Sequence, residues 1–225
     1  MNLPLPIIVD VFSDVVCPWC YIGKRRLENA IQMVPDLQVA VRWRPFFLNP
    51  WIAREGIARE TYLKTKFGSV ERYNRLAANV ASIAAEEGLS YRFDLVRRQP
   101  NTIDCHRVVH WAAAIGKAGA MNQRLMELYF TEGGDLTATE TLVGAAASVG
   151  LDSGRVRAQL TGSADVDLIK EQAKEAADSG IDGVPTFILG GLKVVFGAQT
   201  ADVLAAEIAE VANFARPAPP TLPTA

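Results

Sequence analysis

Cys17-Pro18-Trp19-Cys20 constrains this chain more than any other stretch, because of what flanks it. Before it runs Ile7-Ile8-Val9-Asp10-Val11-Phe12, short and apolar, which reads as a strand. After it, Leu27, Ala30, Ile31 and Val34 recur at i, i+3, i+4 and i+7, the core-facing stripe of a helix that Pro35 and Asp36 end. A C-x-x-C pair between a strand and a helix points to redox-active thiols. Pro18 suits the first helical position, where its missing N–H would have had no partner anyway. Cys17 then stands at the helix N-terminus, where the macrodipole and free N–H groups favour a thiolate. Cys20, three residues on, returns to the same face at a separation a disulfide can bridge.

Two other readings of the pair are weaker. Free cysteine is often a small buried hydrophobe, but that does not account for the strand–helix setting. A structural zinc needs about four ligands, and only Cys105, His106 and His110 remain to supply them. Cys105 and His106 are adjacent and face different ways; His106 and His110 share a helix face. No metal site is therefore expected. Three cysteines make no disulfide scaffold, which fits a reducing cytoplasm where disulfides are transient and catalytic. The net charge of −2, with signs interspersed, argues against a nucleic-acid surface. No run approaches the ~18 apolar residues of a membrane span, and the apolar start, Met1 to Ile8, lacks a basic export signal. The densest basic run, Lys24-Arg25-Arg26, is expected on the solvated side of the first helix, where it could also hold a thiolate or an anion.

The chain length of 225 residues suits one domain carrying an insertion. Leu37 to Leu48 alternates through Val39, Val41 and Trp43 as a second strand, which Pro45 bends or ends. Residues 49–180 turn helical, with segments expected at 58–67, 70–87, 102–115, 119–131, 138–149, 153–161 and 165–179. Gly88, Gly150 and Gly180 stand where helix-ending glycines belong. Thr137 with Glu140 has capping-box spacing, and Asp152 and Asn101 read as N-caps. Leu76, Val80, Ile83 and Ala84 form one apolar face, and Leu142, Ala146 and Val149 a shorter one. Strand chemistry returns as Thr186–Leu189 and Leu192–Phe196, joined by Gly190-Gly191 as a hairpin. A last helix carries Val203, Leu204, Ile208 and Val211 on one face, and the proline-rich tail from Arg216 is expected to be disordered. The expected division is 1–48 with 181–215 as one discontinuous domain, 49–180 as an all-helical insertion, and 216–225 as tail. The segment at 165–179 could belong to either domain.

The order β-α-β…β-β-α is that of a thioredoxin fold, an α/β class, here with a large all-helical insertion between the second and third strands. Pro185, at the head of the third strand, is the counterpart of the motif after the first and is expected to be cis. The chain resembles the DsbA-like thioredoxin-fold family, and within it the FrnE-like oxidoreductases. The resemblance rests on Phe12–Gly23, Arg42-Trp43-Arg44-Pro45-Phe46, Asn101-Thr102 with His106-Arg107, Gly183–Phe187 and Phe196–Gln199. Relatives akin to glutathione transferase kappa and 2-hydroxychromene-2-carboxylate isomerase carry serine at the first cysteine position, whereas this chain keeps both cysteines. The resemblance implies an active site between the two domains.

The favoured reading is a cytoplasmic thiol–disulfide oxidoreductase acting on protein or small thiol substrates. Cys17 would be the exposed attacking thiolate, Cys20 the resolving thiol, and Pro185 the residue holding substrate near Cys17. Pro18 and Trp19 would flank the site. A second reading is a glutathione-dependent isomerase or transferase of a small aromatic compound. Glutathione would enter as a co-substrate, with Val184 as its strand-like anchor and Gly197-Ala198 meeting its carboxylate; no tightly bound cofactor is expected. A third is a non-catalytic redox-sensing partner protein. Cys105 is expected to pack inside the insertion, and His106 to be structural.

Overall fold

The computed structural model describes residues 5–215; the tail from 216 lies outside the described residues. Strand β1 (Ile7–Ser13), helix α1 (Pro18–Met33) and strand β2 (Val39–Pro45) open the chain, with β1 and β2 parallel from Ile7 against Val39 to Ser13 against Pro45. The insertion follows: β3 (Ile57–Ala58), α2 (Arg59–Phe67), α3 (Val70–Glu86), β4 (Arg98–Gln99), α4 (Ile103–Ala113) and α5 (Ala118–Glu127). A wide π-type turn (Leu128–Glu132) extends α5, and α6 (Thr139–Ser148), α7 (Ser153–Thr161) and α8 (Val166–Asp178) complete the insertion. Strands β5 (Thr186–Leu189) and β6 (Lys193–Phe196) and helix α9 (Ala201–Ala215) close the chain. The main sheet runs β2-β1-β5-β6, with β5 antiparallel to both β1 and β6. This is the thioredoxin arrangement.

Two large hydrophobic cores organise these elements, beside a small third cluster of Ile52, Tyr62 and Leu63. In the first, Val9 and Val11 of β1 and Phe187 and Leu189 of β5 are sealed by Leu27 and Ala30 of α1 and by Leu204, Ile208 and Val211 of α9. Strand alternation puts Val9 and Val11 on one face, and the helical stripe read from the sequence meets them. The second core belongs to the insertion, where Met121, Leu125, Tyr129, Phe130 and Leu142 are all buried. It also takes in Val15, Val16, Cys17, Cys20, Tyr21 and Ile22. Helix α1 thus begins in one core and ends in the other.

Several local expectations need correction. The insertion is not all-helical: Ile57 pairs with Gln99 and Ala58 with Arg98 in an antiparallel ribbon. Strands of two residues are too short to leave an alternating pattern. Thr137 does not cap α6. Its N–H and hydroxyl both donate to Asp135 Oδ1 (2.9 and 2.7 Å), an Asx turn that shifts the N-cap to Ala138. Leu76 and Val203 turn outward, leaving Ala77, Val80 and Ala84 as the buried face of α3. Leu192 joins the hairpin turn, where Gly190 and Gly191 adopt φ of 59° and 70°. Asp152 caps α7 as expected, accepting from the Arg155 N–H at 2.7 Å. Helix α8 packs on both β2 and α4, straddling the expected domain boundary.

Candidate active site

Cys17 is the N-cap of α1, with extended backbone (φ −91°, ψ 113°) and Pro18 opening the helix. The Cys17 N–H donates to Asp14 O (3.0 Å), and its carbonyl accepts from the Cys20 and Tyr21 N–H groups (3.0 and 3.3 Å). The Cys17 thiol donates to the carbonyl of Val184 at 3.7 Å, across the β1–β5 junction. The Val184–Pro185 bond is cis. Cys17, Cys20, Val184 and Pro185 therefore gather at one point, with Pro18 half-buried beside them and Trp19 exposed on the rim.

Cys17 is not exposed, contrary to the sequence expectation: it is 3% accessible and Cys20 1%. Both thiols are covered because the insertion's core closes over the first turn of α1. Tyr91, in the segment after α3, donates its hydroxyl to Pro18 O (2.7 Å) and stacks on Tyr21 and Phe130 at 5.9 and 4.9 Å. Burial above all, and then the nearby Cys17, Tyr21 and Cys20, push the Tyr91 phenol far up, so it stays neutral. Burial also pushes the Cys20 thiol well up, reinforced by the hydrogen bond and charge of Cys17 beside it. Cys20 is therefore held protonated, while Cys17 occupies the helix N-terminus.

Pro185 is clamped from both sides. Its carbonyl accepts the Gly197 N–H at 2.8 Å. From α1, Gly23 comes so near that a Cβ there would lie 2.9 Å from Pro185 Cγ and 3.3 Å from Phe187 Cζ. The Gly197 N–H is thus not open to a carboxylate as the sequence reading had it, and the Ala198 carbonyl is held by Arg26 Nη1 at 2.7 Å. Those two groups brace the proline loop against α1.

The basic run also departs from expectation. Lys24 is 3% accessible rather than solvated, reaching Glu28 at 2.5 Å and Gln123 Oε1 at 2.7 Å. Gln123 in turn donates to the Tyr21 hydroxyl (2.9 Å), and Arg26 pairs with Glu87 (2.5 Å). Helices α3 and α5 cover the side of α1 that a lone amphipathic helix would leave wet. Burial lowers the Lys24 pKa, a shift Glu28 opposes.

Beneath the thiols lies Asp14, 1% accessible, accepting from the N–H groups of Leu48 (2.8 Å) and Val16 (3.4 Å). Its carboxyl is pushed up by burial, against the opposing influence of His106, whose Nε2 is 3.8 Å away. Burial lowers the His106 pKa, and Nε2 also lies 3.1 Å from Phe46 O, so the neutral ring carries its proton there. Lys66 of α2 binds Asn49 Oδ1 at 2.6 Å; burial lowers its pKa, while Cys17 and Asp14 raise it. Asn101 is not the N-cap of α4 as expected; that is Thr102, and Asn101, one residue earlier, accepts the Ile103 N–H (3.0 Å) and donates its amide to Ile52 O (2.6 Å). Cys105 is fully buried in the insertion core.

Sequence reasoning passed over Asp14, Gly23, Lys66 and Tyr91. Gly23 had a readable signal, a glycine inside a helix one turn past the motif. The other three are brought in by the fold alone.

A family model, the DSBA-like thioredoxin domain, matches residues 8–209. YwbO, an uncharacterized protein of Bacillus subtilis (strain 168), is 28% identical over 90% of this chain and 96% of its own length. A structure described as a probable DsbA oxidoreductase from Streptomyces coelicolor is 33% identical, with a TM-score of 0.84 over 96% of this chain and 93% of that one. A 2-hydroxychromene-2-carboxylate isomerase shares the fold at 18% identity, with a TM-score of 0.69 over 92% of this chain and 97% of that one. Matched from the first strand into the last helix, the chain belongs to the DSBA-like thioredoxin domain family.

Proposed function

We propose that this protein is a thiol–disulfide oxidoreductase working through Cys17 and Cys20, on protein or small thiol substrates. The observation that carries this reading is the asymmetry of the pair: Cys17 caps the helix and touches Val184 O at 3.7 Å, while Cys20 is held protonated by burial. The Cys17 thiolate attacks one sulfur of a substrate disulfide, forming a mixed disulfide and releasing the other sulfur as a thiolate. Cys20 then loses its proton and attacks Cys17 Sγ. The bond to substrate breaks, the second substrate thiol leaves, and a Cys17–Cys20 disulfide remains; run backward, the cycle oxidises a substrate dithiol. Because Cys17 is buried, a substrate must displace the Val184 contact and lie along the cis-proline loop, with Trp19 at the entrance.

Cytoplasmic location and glutathione as co-substrate are part of this proposal. Among the described residues no helix is long and apolar enough to cross a membrane. A protein of the same fold, described as a cytosolic disulfide reductase, DsbM of Pseudomonas aeruginosa, with GSH, makes glutathione the first co-substrate to try. A glutathione-dependent isomerase is a second reading, favoured by the aromatic wall of Tyr21, Tyr91 and Phe130 over the thiols. Equilibration against a glutathione redox series, read by intact mass, separates the two. The oxidoreductase gives a Cys17–Cys20 disulfide with a definable potential, Cys17→Ser abolishes exchange, and Cys20→Ser accumulates mixed disulfides. Exchange surviving in Cys17→Ser would sink the assignment, and glutathione bound without exchange would put the isomerase first.

A further inference from the structure

A second cleft lies along β2. Among the described residues β2 is an edge strand joined only to β1, and α4, α5 and α8 stand against it around a cleft of about 420 Å³. Cys17 and Cys20 are not in its walls. The size is that of small-molecule sites, which fall between about 300 and 1,000 Å³.

Charge narrows what could enter. Among the described residues that line the cleft, Arg42 and Arg44 are cationic and none is an aspartate or glutamate. Arg42 is occupied, giving Nε and Nη2 to the two oxygens of Asp10 at 2.9 and 2.6 Å. Arg44 gives Asp10 only its Nε, at 2.7 Å, and its terminal nitrogens have no hydrogen-bond partner among the described residues. A guanidinium edge with two free donors matches a carboxylate. Trp43, on the opposite face of β2 from Arg42 and Arg44, also lines the cleft, which wraps around this edge strand. Val109 and Ile169 add apolar wall. Ser13, also in the wall, is 3% accessible and borders Cys20.

We propose that this cleft binds a small carboxylate with an apolar body, its carboxylate on Arg44 and its body against Trp43. The proposal does not rest on the thiol chemistry above, and its test does not involve the cysteines.

The test is titration of the whole reduced protein with hexanoate, following the Trp43 indole N–H cross-peak by nitrogen–proton NMR. Acetate serves as the anion without a body and hexanamide as the body without charge. A saturable shift of the Trp43 peak is expected below about 10 mM hexanoate, with both controls weaker by about tenfold or more. Arg44→Gln should weaken hexanoate about tenfold, as loss of a charge-assisted pair does, while Arg42 keeps Asp10 paired. Gly119→Leu fills the cleft from the opposite wall, because a Cβ there already lies 3.5 Å from Trp43 Nε1. It should abolish the shift. An unmoved Trp43 peak, hexanoate binding unchanged in Arg44→Gln, or acetate binding as well as hexanoate would each overturn the proposal.

Discussion

The sheet core and the insertion core differ in what they hold. Val9, Val11, Phe187, Leu204 and Ile208 make the first an apolar filling between a sheet and two helices. The second includes both thiols, Tyr21 and the loop from Val15 to Cys17, and it sits against the buried pair Asp14 and His106. The insertion is therefore part of the Cys17–Cys20 site rather than an addition to a finished thioredoxin domain. It supplies the low-dielectric wall that keeps Cys20 protonated and closes over Cys17. Reactivity and folding of the insertion should be linked, whereas packing of the sheet should bear on stability alone.

The sharpest way to break that contrast is to open each core in turn. Phe130 and Phe187 are 1% and 0% accessible, and truncating either to alanine should cost about 3–5 kcal/mol. Phe187→Ala should lower the urea midpoint while leaving the rate of exchange with oxidised glutathione near the parent value. Phe130→Ala removes the ring stacked on Tyr91 and Tyr21, so it should also raise the accessibility of Cys17 to alkylation. Equal alkylation rates in the two variants would mean that the insertion does not shield the thiols.

Gly23 tests where the two cores meet. On an exposed helix, alanine there would gain about 1 kcal/mol. Here its Cβ would lie 2.9 Å from Pro185 Cγ, and overpacking of this kind costs about 1–3 kcal/mol. Gly23→Ala should lose stability and slow exchange together, because the proline loop must move away from Cys17. A variant more stable than the parent, with normal exchange, would show that α1 does not press on the loop.

The same contrast explains what the sequence could and could not disclose. The sheet core was legible because Val9, Val11, Leu27, Ala30 and the Gly190-Gly191 turn follow strand and helix periods that depend on neighbours close in sequence. Cys17, Cys20 and Pro185 were legible because residue type and order suffice. The burial of Lys24 was not, since it depends on Gln123, ninety-nine positions away. Nor was the burial of Cys17, which comes from packing by the insertion, or the taking of the Gly197 N–H by Pro185. Leu76 fitted the helical period of α3 but fell at the margin of its buried face, where a one-residue rotation decides exposure. Apart from Leu76, long-range closure rather than local propensity decided these.

Acid sharpens the comparison further, because the insertion side holds a buried histidine while the sheet face holds Asp10. His106 in the unfolded chain takes a proton near 6.5, and burial lowers that value in the fold. The unfolded state then binds more protons, so stability falls as pH drops below 6.5, until the folded value is passed. The loss can reach about 1.4 kcal/mol per pH unit for one group. Asp14 has the opposite sign. Its raised folded value means the native state keeps a proton above 3.8, which offsets some of the loss as pH nears that range. Burial pushes Asp10 up, but Arg42 and Arg44 more than offset it, so its stabilising charge is lost only as pH falls below 3.8. His106→Gln should therefore flatten the urea-midpoint change between about pH 7.5 and about 5.5, and Asp10→Asn should not. An unchanged slope in His106→Gln would place the titrating group elsewhere.

The smallest effect expected is at Tyr91, and it isolates the contact between insertion and motif. Tyr91→Phe keeps the stacked ring and removes only the hydroxyl that donates to Pro18 O at 2.7 Å. One such hydrogen bond contributes about 0.5–1.5 kcal/mol. The carbonyl of Pro18 belongs to the first turn of α1, so its loss should loosen that turn more than the fold as a whole. The midpoint of unfolding should drop by about 1 kcal/mol or less, while amide exchange at Trp19 and Cys20 should quicken relative to amides later in α1. If instead protection fell evenly along α1, Tyr91 would be only a packing residue. The insertion would then shield the thiols without fixing the turn that carries them.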